Sequence, residues 1–164
     1  MSSESQTTLK MPVFLWWRLM RDLRRRSDGR RESGAFLLGT RNGKSNKIRS
    51  YICYDDLVPN ALDSGVVTMT ARGFATLWPE CKRRGQAVLA DIHAHPGPWV
   101  GQSHSDQHNP MIGKRGHLAL IVPSYAQPWC WGFKGAGIYE YEGDYKWRDI
   151  QTDNRKERIH LVLF

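Results

Sequence analysis

The chain reads as one α+β domain, a single sheet with helices packed against it. Three observations point there. Apolar residues recur with helical period in some segments and with strand period in others, and the two kinds of segment are mixed along the chain. No linker, repeat or low-complexity tract divides it. Its 164 residues suit one hydrophobic core.

The elements follow in order. Met1 to Lys10 is polar and is expected to be a disordered tail, leaving 11–164 as the domain. Pro12 suits the start of a helix, and Trp16, Leu19, Met20 and Leu23 follow at helical spacing until Ser27-Asp28-Gly29 stops it. Ala35 to Leu38 is a short apolar strand, Arg41-Asn42-Gly43 a turn, and Lys47 to Tyr54 the strand paired with the first. After a polar loop, Val66 to Met69 is read as another strand. Phe74, Leu77, Trp78 and Cys81 have the spacing of a core-facing helix, which Pro79 should kink or break. Ala87 to His93 is a buried strand, Pro96 to Pro110 a loop, and His117 to Val122 and Gly137 to Tyr141 are strands. Arg158 to Phe164 is a last strand or a docked tail.

Composition narrows the function classes. Apolar residues make up 40% and charged residues 24%, as in ordinary globular domains. The net charge is +8, which favours acidic partners. Seven arginines between Arg18 and Arg31 supply much of it, as a solvated helix face or as a docking surface. Cys53, Cys81 and Cys130 are far apart and odd in number, which argues against a disulfide framework and for reduced thiols in a cytoplasmic protein. Val13 to Trp17 is too short to span a bilayer, and no signal-peptide pattern precedes it. The seven tryptophans fit a filled core or an aromatic-lined groove.

The chemistry centres on Asp91-Ile92-His93-Ala94-His95-Pro96, followed by Ser103-His104-Ser105-Asp106. Residues two apart on a strand share a face, so His93 and His95 present two imidazoles to one ion. Pro96 ends the ladder, and the chain returns Asp106 as a third ligand. Two nitrogens and a carboxylate oxygen suit zinc, with the fourth position left for water. Glu32 stands just before the apolar strand at 35–38. It is the candidate general base if that strand neighbours the histidine strand. Ser103 offers a hydroxyl to a developing oxyanion.

Glu32-Ser33-Gly34-Ala35-Phe36-Leu37-Leu38-Gly39, then His93-Ala94-His95-Pro96, then Ser103-x-x-Asp106 seven residues on, together resemble the JAMM motif of the JAB/MPN metalloproteases. The likeness spans about residues 30 to 125, and the compact size with the segments Gly101 to Asp106 and Gly116 to Pro123 is similar to prokaryotic members. It implies a curved mixed sheet flanked by helices, of the cytidine-deaminase-like kind, with one zinc ion at an edge. It implies His93, His95 and Asp106 as ligands, Glu32 as acid/base and Ser103 as oxyanion donor. Catalytic members of the family hydrolyse the bond after the C-terminal glycine of ubiquitin or ubiquitin-like proteins, while some members that have lost ligands serve as scaffolds. Relatives occur beside E1-like and E2-like proteins, including in antiphage systems. A membrane or nucleic-acid partner is not expected on this view. The alternative is a non-catalytic basic module on the same fold, binding nucleic acid or a protein scaffold.

One departure from the family pattern is Asp91, where many members have an aromatic residue. By strand periodicity it shares the face of His93 and His95, so it either orients an imidazole or bonds locally. His104 and His108 read as solvated loop residues. Trp99 either lines a groove for a substrate tail or packs the loop down.

Overall fold

A computed structural model describes residues 7–67, 69–127, 132–150 and 158–164. Its strands are β1 (Thr8–Pro12), β2 (Gly34–Thr40), β3 (Ser45–Cys53), β4 (Ala87–Ala94), β5 (Leu118–Val122), β6 (Gly137–Gly143), β7 (Lys146–Asp149) and β8 (Ile159–Val162). The α-helices are α1 (Val13–Ser27), α2 (Tyr54–Leu57), α3 (Ala71–Arg84) and α4 (His104–His108). The strands form one mixed sheet in the order β7-β6-β5-β4-β2-β3-β1-β8. Pairings β1–β3, β1–β8 and β4–β5 are parallel and the rest antiparallel.

The sheet curls around α1. Ile138 of β6 and Ile159 of β8, near opposite ends of the strand order, share one core with Leu15, Trp16, Leu19 and Leu23 of the helix. Arg158, just before β8, closes the curl by donating to Glu140 of β6. The helix forms because its apolar residues keep a 3.6-residue period. Arg24, Arg25 and Arg26 occupy its last turn, where cations favour the negative end of the dipole. Asp28 ends it in the left-handed region, at φ 51°. The other face of the sheet packs on α2 and α3 through Phe36, Leu38, Tyr54, Leu57 and Leu77. β4 is buried on both faces from Val88 to Ala94, so its apolar residues do not alternate with exposed polar ones, and Asp91 and His93 are buried with them.

Several expectations need correction. Residues 1–6 lie outside the described residues, but Thr8 to Lys10 belong to β1 rather than to a disordered tail. β1 lies between β3 and β8, so distant strands order it and no local signal announces it. Val66, Val67 and Met69 are not in a strand, and Thr68 lies outside the described residues. Pro79 sits inside α3, which runs through it without a break, and Trp78 is 49% exposed and stacks on Phe74 instead of entering the core. The loop after Pro96 contains the short helix α4, and β7 was not foreseen. Trp16 is buried while Trp17, Trp78 and Trp99 are exposed, so the tryptophans do not act as one group; Trp129, Trp131 and Cys130 lie outside the described residues. Cys53 and Cys81 are free and buried. No helix among the described residues is long and apolar enough to cross a membrane.

Candidate metal centre

β4 carries the two histidines to its carboxyl end, beside the parallel strand β5, where open α/β sheets place their ligands. His95 lies one residue past the strand, yet its N–H still donates to the Val122 carbonyl of β5 at 2.9 Å. Pro96 has no N–H to continue the ladder. Beyond β5 the backbone turns back over this end. Ser124 and Tyr125 donate their N–H groups to the carbonyls of Gly97 and His95, and Ser124, Tyr125 and Ala126 all have φ between 53° and 57°. Three consecutive non-glycine residues in the left-handed region store strain of roughly 1–2 kcal/mol each, a feature that concentrates at functional sites.

Asp106 comes back on α4. Ser103 caps that helix in a reciprocal box. Its hydroxyl accepts from the Asp106 N–H at 3.1 Å and donates to Asp106 Oδ2 at 2.7 Å, and its own N–H donates to the same oxygen at 2.7 Å. The carboxylate is thereby aimed at the histidines. His93 Nε2 lies 3.3 Å from Asp106 Oδ1, His95 Nε2 lies 3.4 Å from Asp106 Oδ2, and the two imidazole nitrogens are 3.0 Å apart. His93, His95 and Asp106 form the one such group of potential ligands found among the described residues.

The donor set fits a zinc ion. Ligand atoms about 2.0–2.2 Å from a tetrahedral zinc stand roughly 3.3–3.6 Å from one another. The two histidine–aspartate contacts, each to a different carboxylate oxygen, have that spacing, and the histidine–histidine edge is slightly shorter. Tautomer chemistry agrees. His95 Nδ1 is 3.1 Å from the Trp99 carbonyl, which can only accept, so Nδ1 carries the proton and the neutral ring turns the Nε2 lone pair toward the centre. Burial lowers the basicity of His93 despite the nearby Asp106, which keeps its ring neutral and available as a ligand. Burial also disfavours the charged form of His95, but its bonds to Asp106 and to the Trp99 carbonyl outweigh that and raise its pKa. Burial works against ionisation of Asp106. The histidines and Ser103 overcome it and hold the carboxyl down at about 2.

β2 is the antiparallel neighbour of β4, with Gly34 opposite His93. The Ala94 N–H donates to the Ser33 carbonyl at 2.8 Å, and the same register continued one step further sets Glu32 opposite His95. Ser33 is anchored from the other side. Its buried hydroxyl donates to the Leu23 carbonyl at 2.8 Å and lies 2.7 Å from Ser27 Oγ, which ties the start of β2 to the end of α1. Glu32 is also clasped by the segment read as a strand. Its N–H donates to the Gly65 carbonyl at 2.9 Å, and the Val67 N–H donates to its carboxylate. Burial raises the pKa of Glu32; the field of His95 opposes this and that of Asp106 adds to it. A half-buried carboxylate of raised basicity beside a three-ligand centre is suited to proton transfer.

The remaining residues of the loop separate. Asp91 does orient an imidazole, but that of His117 just before the adjacent strand β5, which donates to it at 2.6 Å. The Trp99 ring stacks on His95 with centroids 5.5 Å apart while remaining 60% exposed. Gly101 makes room for it, since a Cβ there would stand 2.5 Å from the indole. His104 and His108 stack on each other at 4.0 Å on α4. Sequence reasoning missed the clasp at 65–67 and the Trp99 carbonyl. Both act through backbone groups, which no side-chain pattern records.

No family model matches the chain. In fold it is similar to a protein of Desulfitobacterium hafniense known from a solution structure, with a TM-score of 0.68 and 18% identity over 94% of this chain and 93% of that one. It is also similar to a Salinibacter ruber protein, again known in solution, with a TM-score of 0.54 and 16% identity over 85% and 87% of the two chains. At these identities the likeness concerns the arrangement of sheet and helices alone.

Proposed function

We propose that this chain is a zinc-dependent isopeptidase or peptidase of the JAB/MPN kind, cutting after the C-terminal glycine of a ubiquitin-like protein in the cytoplasm. The observation that carries the proposal is the placement of Glu32. The register between β2 and β4 sets it opposite His95, beside the triangle of His93, His95 and Asp106. The JAMM-like spacing in the sequence requires that same neighbourhood, although its members come from three separate segments.

Bound at this triangle, zinc would supply Lewis acidity and bring the pKa of a coordinated water toward about 7. His93, His95 and Asp106 would hold the ion, and Ser103 orients Asp106. Glu32 takes the proton of the attacking water and returns it to the departing nitrogen. The resemblance extends the proposal to E1-like and E2-like partners and to a role in antiphage defence.

The deciding experiment compares Glu32→Gln with Asp106→Asn on a ubiquitin-like fusion, reading zinc content, substrate affinity and cleavage rate. Glu32→Gln should keep zinc and substrate but lose ~10²–10⁴-fold in turnover, whereas Asp106→Asn should lose the metal as well. Cleavage by Glu32→Gln at the wild-type rate would remove Glu32 from the chemistry. A non-catalytic basic module would show no cleavage by the wild-type protein.

A further inference from the structure

A second cavity lies away from the candidate metal centre. It occupies about 430 Å³ where β4 and β5 begin, and Val88, Leu89 and Leu118 line it. His93 and His95 are at the other end of β4. The seven steps from Val88 to His95 span about 23 Å at ~3.3 Å per residue. None of the candidate ligands, nor Glu32, reaches the cavity wall.

Four fixed cations converge on this space: Arg41, Lys114, Arg115 and Arg158. One carboxylate lines it, Glu140, and that group is already engaged by Arg158 and by Arg148 at 2.8 Å. Arg41, Lys114 and Arg115 have no carboxylate at ion-pair distance among the described residues. Three of the four cations are held in place. Arg41 donates to the Val88 carbonyl at 3.2 Å, and Arg158 donates to the Thr7 carbonyl at 2.9 Å. The Arg115 guanidinium lies against the backbone at Gly143, where a Cβ would stand 2.9 Å from Nε. The opposite wall is aliphatic, from Leu9, Leu89 and Leu118.

Arg41, Lys114 and Arg115, gathered without a carboxylate partner among the described residues, raise the energy of the free protein, and an anion relieves it. Planar guanidinium groups suit phosphate oxygens, which they can grip with paired N–H bonds. The volume falls within the range of small-molecule sites, and an aliphatic wall beside a cationic rim matches a ligand with an apolar body and a phosphate. From this geometry we infer that the cavity is a binding site for a small phosphorylated organic molecule of mononucleotide size. The site stands independently of the metal centre and of any hydrolase activity.

Calorimetric titration of the full chain with AMP, adenosine, inorganic phosphate and pyrophosphate at low ionic strength tests it. AMP should bind one-to-one, more tightly than inorganic phosphate, and adenosine should fail to bind. Lys114 and Arg115 are exposed, so the double substitution Lys114→Glu, Arg115→Glu should fold. It should weaken AMP at least ~10-fold, the scale expected on losing a charge-assisted bond. His95→Ala should bind AMP as the wild type does, and so should Arg18→Glu, Arg21→Glu on α1, since none of these residues lines the cavity. Absence of binding by AMP, phosphate and pyrophosphate at millimolar concentration would overturn the inference. So would equal binding by the Lys114, Arg115 variant, loss of binding in His95→Ala, or tighter binding of a single-stranded oligonucleotide that depends on the α1 arginines.

Discussion

His117 donates a 2.6 Å hydrogen bond from Nε2 to Asp91 Oδ2, and both side chains are about 4% exposed. Asp91 stands two residues before His93 on β4, so the pair braces β5 against the strand that carries the candidate metal ligands. Removing one partner from a buried pair typically costs about 3–5 kcal/mol, because the other is left without compensation. His117→Ala should therefore lower the melting temperature by roughly 10 °C, at ~2–4 °C per kcal/mol for a domain of this size. Replacing both with apolar residues, Asp91→Val with His117→Phe, should recover much of the loss. His117 is not a ligand in the proposed centre, so His117→Ala should still bind about one zinc per chain. Thermal melts and metal analysis of the single and double variants check both statements, and loss of zinc from His117→Ala would place His117 in the centre.

The second prediction concerns the metal and the fold together. Two imidazole nitrogens 3.0 Å apart, each 3.3–3.4 Å from an oxygen of Asp106, would gain a shared partner on binding zinc, and the unfolded chain offers no such arrangement. A ligand present at a hundredfold excess over its dissociation constant stabilises by about 2.7 kcal/mol. Zinc at that excess should raise the melting temperature by about 5–10 °C. Chelator should reverse the shift, and His95→Ala should abolish it. A melting temperature indifferent to zinc in the wild type would count against the centre.

Trp99 supplies the third. Its ring is stacked on His95 and 60% exposed, which leaves an apolar face beside the metal centre. Its carbonyl, which accepts from His95 Nδ1, survives substitution by alanine. Trp99→Ala should therefore keep zinc and raise KM on a ubiquitin-like substrate about 10-fold, the usual scale for a truncated aromatic anchor, with a smaller change in kcat. A pure kcat defect at unchanged KM would show that the ring acts on His95 instead of on the substrate.

The candidate site is legible in the sequence where a side chain carries the signal. His93 and His95 sit at alternate positions of a run buried on both faces, so the pattern itself places both at one end of a central strand. Glu32 depends on one further fact, that β2 neighbours β4, which strand register decides and local sequence does not. Val66 and Val67 look like strand because they are β-branched, yet their segment wraps Glu32 through backbone bonds. α4 is too short for periodicity to show, although Ser103 and Asp106 have the spacing of a capping box and could have revealed it. β1 is ordered by β3 and β8, whose residues lie more than thirty-five positions away.

The last prediction concerns Ser103, whose hydroxyl serves Asp106 in this structure. It donates to Oδ2 and accepts from the Asp106 N–H, so alanine removes both a helix cap and a bond that aims the ligand. Loss of the cap costs ~1 kcal/mol of local stability. Loss of a group that orients a ligand typically weakens metal binding ~10–100-fold. Two roles for the hydroxyl are then separable. If Ser103 only positions Asp106, excess zinc restores full turnover to Ser103→Ala. If it also donates to the oxyanion, turnover at saturating zinc remains down by on the order of a hundredfold. We expect the second outcome. The Asp106 carboxylate keeps the Ser103 N–H at 2.7 Å, so it retains an orienting donor after the substitution, and the hydroxyl can turn toward substrate without releasing it. Ser103→Thr keeps the hydroxyl and should recover most of the zinc affinity. Zinc titrations of Ser103→Ala and Ser103→Thr, each followed by cleavage assays at saturating metal, decide between the roles.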